Sequence, residues 1–239
     1  MPRSPLPCEA ASAQRPKGQE MELLERIDAM IDQRHLLGHS FYRKWVAGTL
    51  PTEALHEYSR QYYAFESTFP RFLSTLHARS DQAENRQALL DNLWDEEHGD
   101  ANHAELWLRF AEGLGVDRAD VLGAQRSERT EALVDTYWRV CREQPVAAGV
   151  AAVYAYERQV PLVAQAKIDG LRMRYGIEDE RTLRFFELHS TLDVEHSEAE
   201  RRMLAAAHEE DEAALVAGTA DALEAWWGFL DGVDPDTAC

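Results

Sequence analysis

The sequence predicts an all-α protein, a bundle of seven helices in one domain. Gly and Pro are sparse within long amphipathic stretches and concentrate between them. No alternating strand pattern competes, and no repeat of about 30 to 45 residues supports a stacked solenoid. A chain of 239 residues can bury a sizeable core within a single unit.

Breaks in the hydrophobic periodicity delimit the seven helices. The first ends at Gly48 and the Leu50-Pro51 step, and Thr52 opens the second, which Pro70 is expected to kink. We expect helices at about 20–48, 52–79, 81–114, 117–143, 146–175, 178–208 and 211–231. The expected organisation is a flexible tail, one helical domain and a short C-terminal tail, at residues 1–19, 20–232 and 233–239.

The composition narrows the environment and the partners. A net charge of −18 repels phosphate backbones and anionic lipids, so nucleic acid and membrane are poor partners. Cys8, Cys141 and Cys239 are scattered without a Cys-x-x-Cys motif, which disfavours disulfides and thiolate zinc sites. No apolar run is long enough to span a bilayer, and the N-terminus lacks the pattern of a secretory signal. We therefore expect a cytoplasmic protein.

Three residues near the C-terminal end share one helical face. At 100° per residue, His189, Asp193 and His196 fall within about 60° of arc over two turns. The Asp-x-x-His part of this motif imitates the Glu-x-x-His pairs with which helical bundles bind two metal ions. This segment is therefore a candidate half of a dinuclear metal site.

Two other segments offer matching ligands. Glu96 and His103, seven residues apart, return to within about 20° of the same direction on a helix. Glu157 lies in an apolar helical stretch, where a lone carboxylate is costly unless it is paired or bound to metal. Oxygen and nitrogen ligands without thiolate suit iron or manganese.

Spacing alone leaves alternatives open. Asp100 forms an Asp-x-x-His pair with His103 and competes with Glu96, and Glu53 with His56 forms a further Glu-x-x-His pair. A single His or Glu on a helix is more often a solvated or hydrogen-bonded residue than a ligand.

The combined pattern resembles a known family. Glu-x6-His, a distant Glu and His-x3-Asp-x2-His together resemble the heme-oxygenase-like diiron oxidases, which are related to the TenA and PqqC-like helical proteins. The local sequence is similar to the CADD-type branch. The segments that carry this similarity are HSFYRKWVAGTL, QYYAFESTFPRF, DEEHGDANHAELWLRF and YAYERQVP, at 39–50, 61–72, 95–110 and 154–161.

The resemblance implies a heme-oxygenase-like bundle around a buried dimetal site, Fe/Fe or Mn/Fe, that uses molecular oxygen and an external reductant. The metal ligands that it implies are Glu96, His103, Glu157, His189, Asp193 and His196. It also implies synthesis of para-aminobenzoate, a folate precursor, from one of the protein's own tyrosines with a lysine as nitrogen source. Such a protein is consumed as its own co-substrate.

Tyr42 and Lys167 occupy the matching tyrosine and lysine positions. The chain has only three lysines, and a buried ammonium, unlike a guanidinium, can lose its proton and become a nucleophile. The competing interpretations are a core aromatic residue for Tyr42 and a surface lysine near Asp169 for Lys167. Other tyrosines could also face the site, namely Tyr58, Tyr62, Tyr63, Tyr154 and Tyr156.

Other functions and partners stay open on the sequence alone. A multi-turnover oxidase of the same scaffold would act on an external amino acid, amine or fatty acid. A metal-free relative would not need all six ligands, and a non-enzymatic interaction protein would need a binding surface that the sequence does not display. The electron donor is not identified. Apolar residues of the last helix are typical of either core or a homodimer interface, and these are Trp226, Trp227, Phe229 and Leu230.

Overall fold

The computed structural model describes residues 17–208, 211–234 and 236–237, and in these residues it contains helices and no strands. The α-helices are α1 (Lys17–Gln33), α2 (Ser40–Ala47), α3 (Thr52–Glu66), α4 (Phe69–Arg79), α5 (Ala83–Glu97), α6 (His103–Gly113), α7 (Arg118–Leu122), α8 (Glu128–Glu143), α9 (Val146–Glu157), α10 (Val160–Tyr175), α11 (Glu180–Ala205) and α12 (Glu212–Val233). A 3₁₀ turn at Leu36–Gly38 precedes α2. None of these helices is both long and apolar enough to cross a membrane.

The all-α prediction is confirmed, but five of the seven expected helices are divided. The first is interrupted before α2, where the imidazole of His39 accepts a hydrogen bond from the Phe41 amide at 3.1 Å. The second breaks at Ser67 and Thr68, and Pro70 lies in the first turn of α4, where its missing amide is tolerated. The expected sixth and seventh helices correspond to α11 and α12. Periodicity therefore located the helical stretches, and local caps divided them.

The short helix α2 is held at both ends. Gly48 closes it in the left-handed region at φ 71°, which favours glycine. Lys44 forms an ion pair with Asp234, and the Ser40 hydroxyl donates to the same carboxylate at 2.5 Å. Because Asp234 is fully buried, the start of the expected C-terminal tail packs against α2. Of the expected N-terminal tail, residues 1–16 lie outside the described residues, and α1 begins at Lys17.

The aromatic residues of α12 form part of the core. Trp226, Phe229 and Leu230 are at most 2% exposed, and the ring of Trp226 stacks on Tyr156 of α9 at 4.7 Å. Trp227 is half-buried and lies edge-on to a histidine ring. Trp226, Phe229 and Leu230 are therefore core residues, because α12 packs along α9 and α8.

The contact between α9 and α12 depends on Gly218. A Cβ added there would lie 2.2 Å from the Ala148 carbonyl oxygen, and backbone cannot move aside as a flexible side chain can. We expect Gly218→Ala to lower the free energy of unfolding by about 1–3 kcal/mol. Gly228→Ala in the same helix meets its nearest atom at 3.6 Å and should be neutral or stabilising by up to about 1 kcal/mol. Chemical denaturation of both variants measures the difference, and equal stabilities would contradict the packing argument.

Candidate metal centre

One face of α11 carries three of the predicted ligands. His189, Asp193 and His196 are 3%, 2% and 8% exposed, and all three lie on the face that packs against the other helices. Positions four and seven residues apart project from the same side of a helix. The N-cap Asp179 fixes the start of α11 by accepting a hydrogen bond from the Thr182 amide at 2.8 Å.

The expectation that Glu96 and His103 share one face of a continuous helix is wrong. Helix α5 ends at Glu97, the chain turns through Gly99 at φ 84°, and α6 begins at His103. The corner nevertheless brings the two side chains together, with Glu96 Oε2 2.9 Å from His103 Nδ1. Asp100 is exposed, so Glu96 is the buried carboxylate of this corner.

Glu157, the lone carboxylate of the apolar stretch, is the last residue of α9 and is 1% exposed. The Asn92 side-chain amide of α5 donates to both carboxylate oxygens, at 2.9 Å and 3.2 Å. Burial raises the pKa of Glu157, and the nearby His196 acts in the opposite direction. The amide therefore orients a carboxylate that lies among the predicted ligands of α11.

Hydrogen bonds fix the orientation of two histidines. His189 Nδ1 lies 2.7 Å from the Phe185 carbonyl oxygen, so this nitrogen carries the proton. The lone pair of Nε2 is therefore free to bind a metal ion. His196 Nε2 lies 3.0 Å from Asp95 Oδ2, while its buried Nδ1 has no hydrogen-bond partner among the described residues. Ligating histidines characteristically donate their other ring N–H to a carboxylate or a carbonyl group. Both rings are therefore oriented as metal ligands would be.

The electrostatics of the cluster favour a cation. Burial raises the pKa of Asp193 well above its usual value, and the neighbouring Glu157 and Glu96 raise it further. Burial lowers the pKa of His103, but Glu96 outweighs this effect and brings it to about 9. Several carboxylates buried together are costly without positive charge, which divalent metal ions would supply. The oxygen and nitrogen donors present, and the unpartnered Nδ1 of His196, fit that group.

Sequence reasoning missed Glu66 as a site residue. One ligand atom each from Glu66, His103 and His189 lie within 4.8 Å of one another. The sequence contained an indication of Glu66, because its carboxylate follows the apolar stripe of a helix, as the carboxylate of Glu157 follows an apolar helical stretch.

The alternative Glu-x-x-His pair, Glu53 and His56, does not belong to this cluster. Glu53 is exposed, and His56 Nε2 lies 2.9 Å from a backbone carbonyl oxygen.

Tyr42 and Lys167 are joined through a third residue, Tyr58. The Lys167 ammonium donates to Tyr58 Oη at 2.7 Å, and the hydroxyl groups of Tyr58 and Tyr42 are 3.2 Å apart. Lys167 Nζ lies 5.5 Å from the centre of the Tyr42 ring. The structure thus places the predicted tyrosine and lysine beside each other.

Lys167 is a core residue and not a surface lysine. It is 4% exposed, and burial lowers the pKa of its ammonium to about 7, although the nearby Glu66 partly opposes this shift. Near neutral pH a substantial fraction of the side chain is therefore the neutral amine. Burial raises the pKa of the Tyr42 phenol, so this group stays protonated.

A small cavity lies between this pair and the predicted metal ligands. Tyr42, Lys167 and His189 line a space of about 10 Å³, which is roughly the room that one water molecule needs. A groove of about 790 Å³ approaches from the surface between α5 and α11 and reaches His196 and Asp95. The interior therefore has space for only a very small molecule next to the predicted ligands, whereas the larger groove lies at the protein surface.

Comparison with known proteins agrees with this arrangement. The family model described as iron-containing redox enzyme matches residues 56–227. The chain is 38% identical to the 4-aminobenzoate synthase of Chlamydia muridarum over 220 residues, covering 92% of this chain and 93% of that protein. It is 40% identical to the 4-aminobenzoate synthase of Nitrosomonas europaea, covering 87% and 89%.

Solved structures support the fold. A domain of unknown function with a heme oxygenase-like fold from Shewanella denitrificans superimposes with a TM-score of 0.75 at 19% identity, covering 89% of this chain and 90% of that one. A CADD-like protein of unknown function from Nostoc punctiforme gives 0.75 at 18% identity, covering 93% and 100%. The heme-oxygenase-like bundle is thus confirmed. Together with the sequence matches, this shows that the chain belongs to the iron-containing redox enzymes, in the branch that includes the 4-aminobenzoate synthases.

Proposed function

We propose that this protein makes 4-aminobenzoate, a folate precursor, from its own Tyr42, with Lys167 as the amino donor. The carbon skeletons agree: the ring and β-carbon of tyrosine match the ring and carboxyl carbon of the product. The changes required are cleavage of the Cα–Cβ bond, oxidation of Cβ to a carboxylate and replacement of the phenolic oxygen by nitrogen. The names of the relatives in Chlamydia muridarum and Nitrosomonas europaea support the product.

The observation that carries this proposal is the size of the cavity. Pockets for small-molecule substrates commonly measure about 300–1,000 Å³, whereas the space beside His189 is about 10 Å³. An external amino acid, amine or fatty acid does not fit there. The Tyr42 ring already lies at this cavity, which favours an internal substrate over a multi-turnover oxidase.

The side chains around the cavity suit the proposed reaction. Lys167 presents nitrogen close to the ring, and its lowered pKa makes the neutral amine available near pH 7. Tyr58 accepts the hydrogen bond from Lys167 Nζ and thereby holds the amine in place. The surrounding aromatic and aliphatic side chains exclude bulk water.

We propose that the six predicted ligands, Glu96, His103, Glu157, His189, Asp193 and His196, hold two metal ions, as Fe/Fe or Mn/Fe. Carboxylate and imidazole donors accept either metal. When bound and reduced by an external electron donor, such a pair supplies the activation of molecular oxygen that the oxidation requires. The family description supports iron in at least one position.

Isotopic labelling tests the source of the product. Protein made with ring-labelled tyrosine is loaded with reduced iron, or with manganese and iron, and exposed to oxygen and a reductant in unlabelled buffer. We expect labelled 4-aminobenzoate at no more than about one molecule per chain, because each chain contains one Tyr42. Unlabelled product formed from an added substrate over many turnovers would contradict self-consumption.

A further inference from the structure

Glu66 is a buried acid that is not among the six predicted metal ligands. It is the last residue of α3 and is 3% exposed. We propose that Glu66 is a further metal ligand and completes the ion position formed by His103 and His189. The inference rests on the metal centre of the proposed function and not on the identity of the product.

The geometry is that of a single ion position. The three ligand atoms lie within 4.8 Å of one another, and no other group of His, Cys, Asp or Glu side chains in the described residues meets this condition. Two ligands bound to one ion by bonds of about 2.1 Å are at most about 4.2 Å apart. Three ligands on one ion are about 3.0–3.6 Å apart when spread evenly or mutually cis, so a contraction of no more than about 1–2 Å converts this arrangement into a coordination site.

A purely structural role does not account for Glu66. Its Oε1 is buried and has no hydrogen-bond partner in the described part of the chain, whereas buried polar atoms are normally hydrogen-bonded. Two candidate cations act on Glu66, His103 and Lys167. However, His103 Nδ1 faces Glu96 Oε2, and the Lys167 ammonium donates to Tyr58. Among the ion pairs of the described residues, none joins Glu66 to Lys167. The unpartnered oxygen is thus available to a ligand.

Charge balance points in the same direction. The three predicted carboxylate ligands, Glu96, Glu157 and Asp193, leave one positive charge of two divalent ions uncompensated. Glu66 supplies the fourth negative charge, and a balanced set lowers the cost of burying the ions. Glu200 is also 3% exposed, and both of its carboxylate oxygens are likewise buried without a hydrogen-bond partner in the described residues, but it borders Glu157 and does not belong to the group of Glu66, His103 and His189. It therefore offers a matched control.

The test is a titration of the metal-free protein with Mn²⁺ in the absence of oxygen. Wild type, Glu66→Gln, Glu66→Met and Glu200→Gln are compared for the number of bound ions and their affinities, by equilibrium dialysis and electron paramagnetic resonance. We expect both Glu66 variants to lose one ion or to bind it about tenfold or more weakly. Glu200→Gln is expected to retain the ion at His103 and His189.

The thermal unfolding of the same proteins shows whether they are folded. Without metal, Glu66→Gln should unfold at or near the wild-type temperature because a buried carboxyl group with an unpartnered oxygen is replaced by an amide of the same size, and Mn²⁺ should stabilise it less than wild type. Wild-type affinity in both Glu66 variants would overturn the proposal, as would equally weakened binding in Glu66→Gln and Glu200→Gln. A wild type that binds two ions yet makes no 4-aminobenzoate contradicts the proposed function alone.

Discussion

Tyr42→Phe is expected to lower the yield of 4-aminobenzoate by about 100-fold or more. The substitution removes the phenolic oxygen at which nitrogen must enter. The rings of Tyr58 and Tyr62 also lie near Lys167 Nζ, at 5.2 Å and 5.1 Å, so the site of mass loss must be located in the chain. Tyr58 is itself buried and hydrogen-bonded to Lys167. The measurement is product quantification after aerobic reaction of the metal-loaded, reduced protein, together with mass spectrometry of residue 42.

The variant should remain folded. Phenylalanine fills the same space, and the substitution removes the hydrogen bond between the Tyr42 and Tyr58 hydroxyl groups, worth about 1 kcal/mol. Tyr63→Phe is the matched control, because Tyr63 is a half-buried residue of α3 that packs at the edge of the main core and against a second, small cluster, and does not line the cavity. We expect Tyr63→Phe to make wild-type amounts of product. A Tyr42→Phe protein that does the same would exclude Tyr42 as the substrate.

Lys167→Met should likewise reduce product formation by about 100-fold or more, because the substitution removes the nitrogen and keeps the apolar stem. Methionine is of similar length and has no charge to bury, so the fold should be at least as stable as that of wild type. Lys44→Arg serves as the control: it keeps the positive charge that faces Asp234 and lies outside the cavity. Unchanged product from Lys167→Met, or no mass change at Lys167 in reacted wild type, would contradict its role as donor.

The wild-type reaction should also depend on pH in a defined direction. The nucleophilic form of Lys167 is the neutral amine, and the pKa of this group is about 7. The initial rate should therefore rise between roughly pH 6 and pH 8 and level off above that range. An ordinary exposed lysine would shift this rise by several pH units upward. A rate that falls over this range would be inconsistent with a neutral amine acting in the slow step.

The positions of some candidate site residues could be predicted from the sequence on physical grounds. His189, Asp193 and His196 share a face because all three lie on one uninterrupted helix, so their spacing was sufficient to place them together. Glu157 was identified by the cost of a lone carboxylate in an apolar stretch, and it is 1% exposed. Tyr42 was chosen by family resemblance alone, and Lys167 by that resemblance together with the scarcity of lysine in the chain, since neither residue has a distinctive spacing.

The sequence by itself determined the helical class, the apolar stretches and the shared face of His189, Asp193 and His196 on α11, because these depend on periodicity within a single segment. Only the tertiary structure decided which side chains from different segments meet. A glycine turn, and not helical spacing, brings Glu96 to His103, and the packing of α3 brings Glu66 to the same histidine. Burial of Lys167 beside Tyr58 of α3 likewise depends on how α10 packs against α2 and α11. Contacts between segments depend on helix ends and packing angles, which local sequence patterns do not encode.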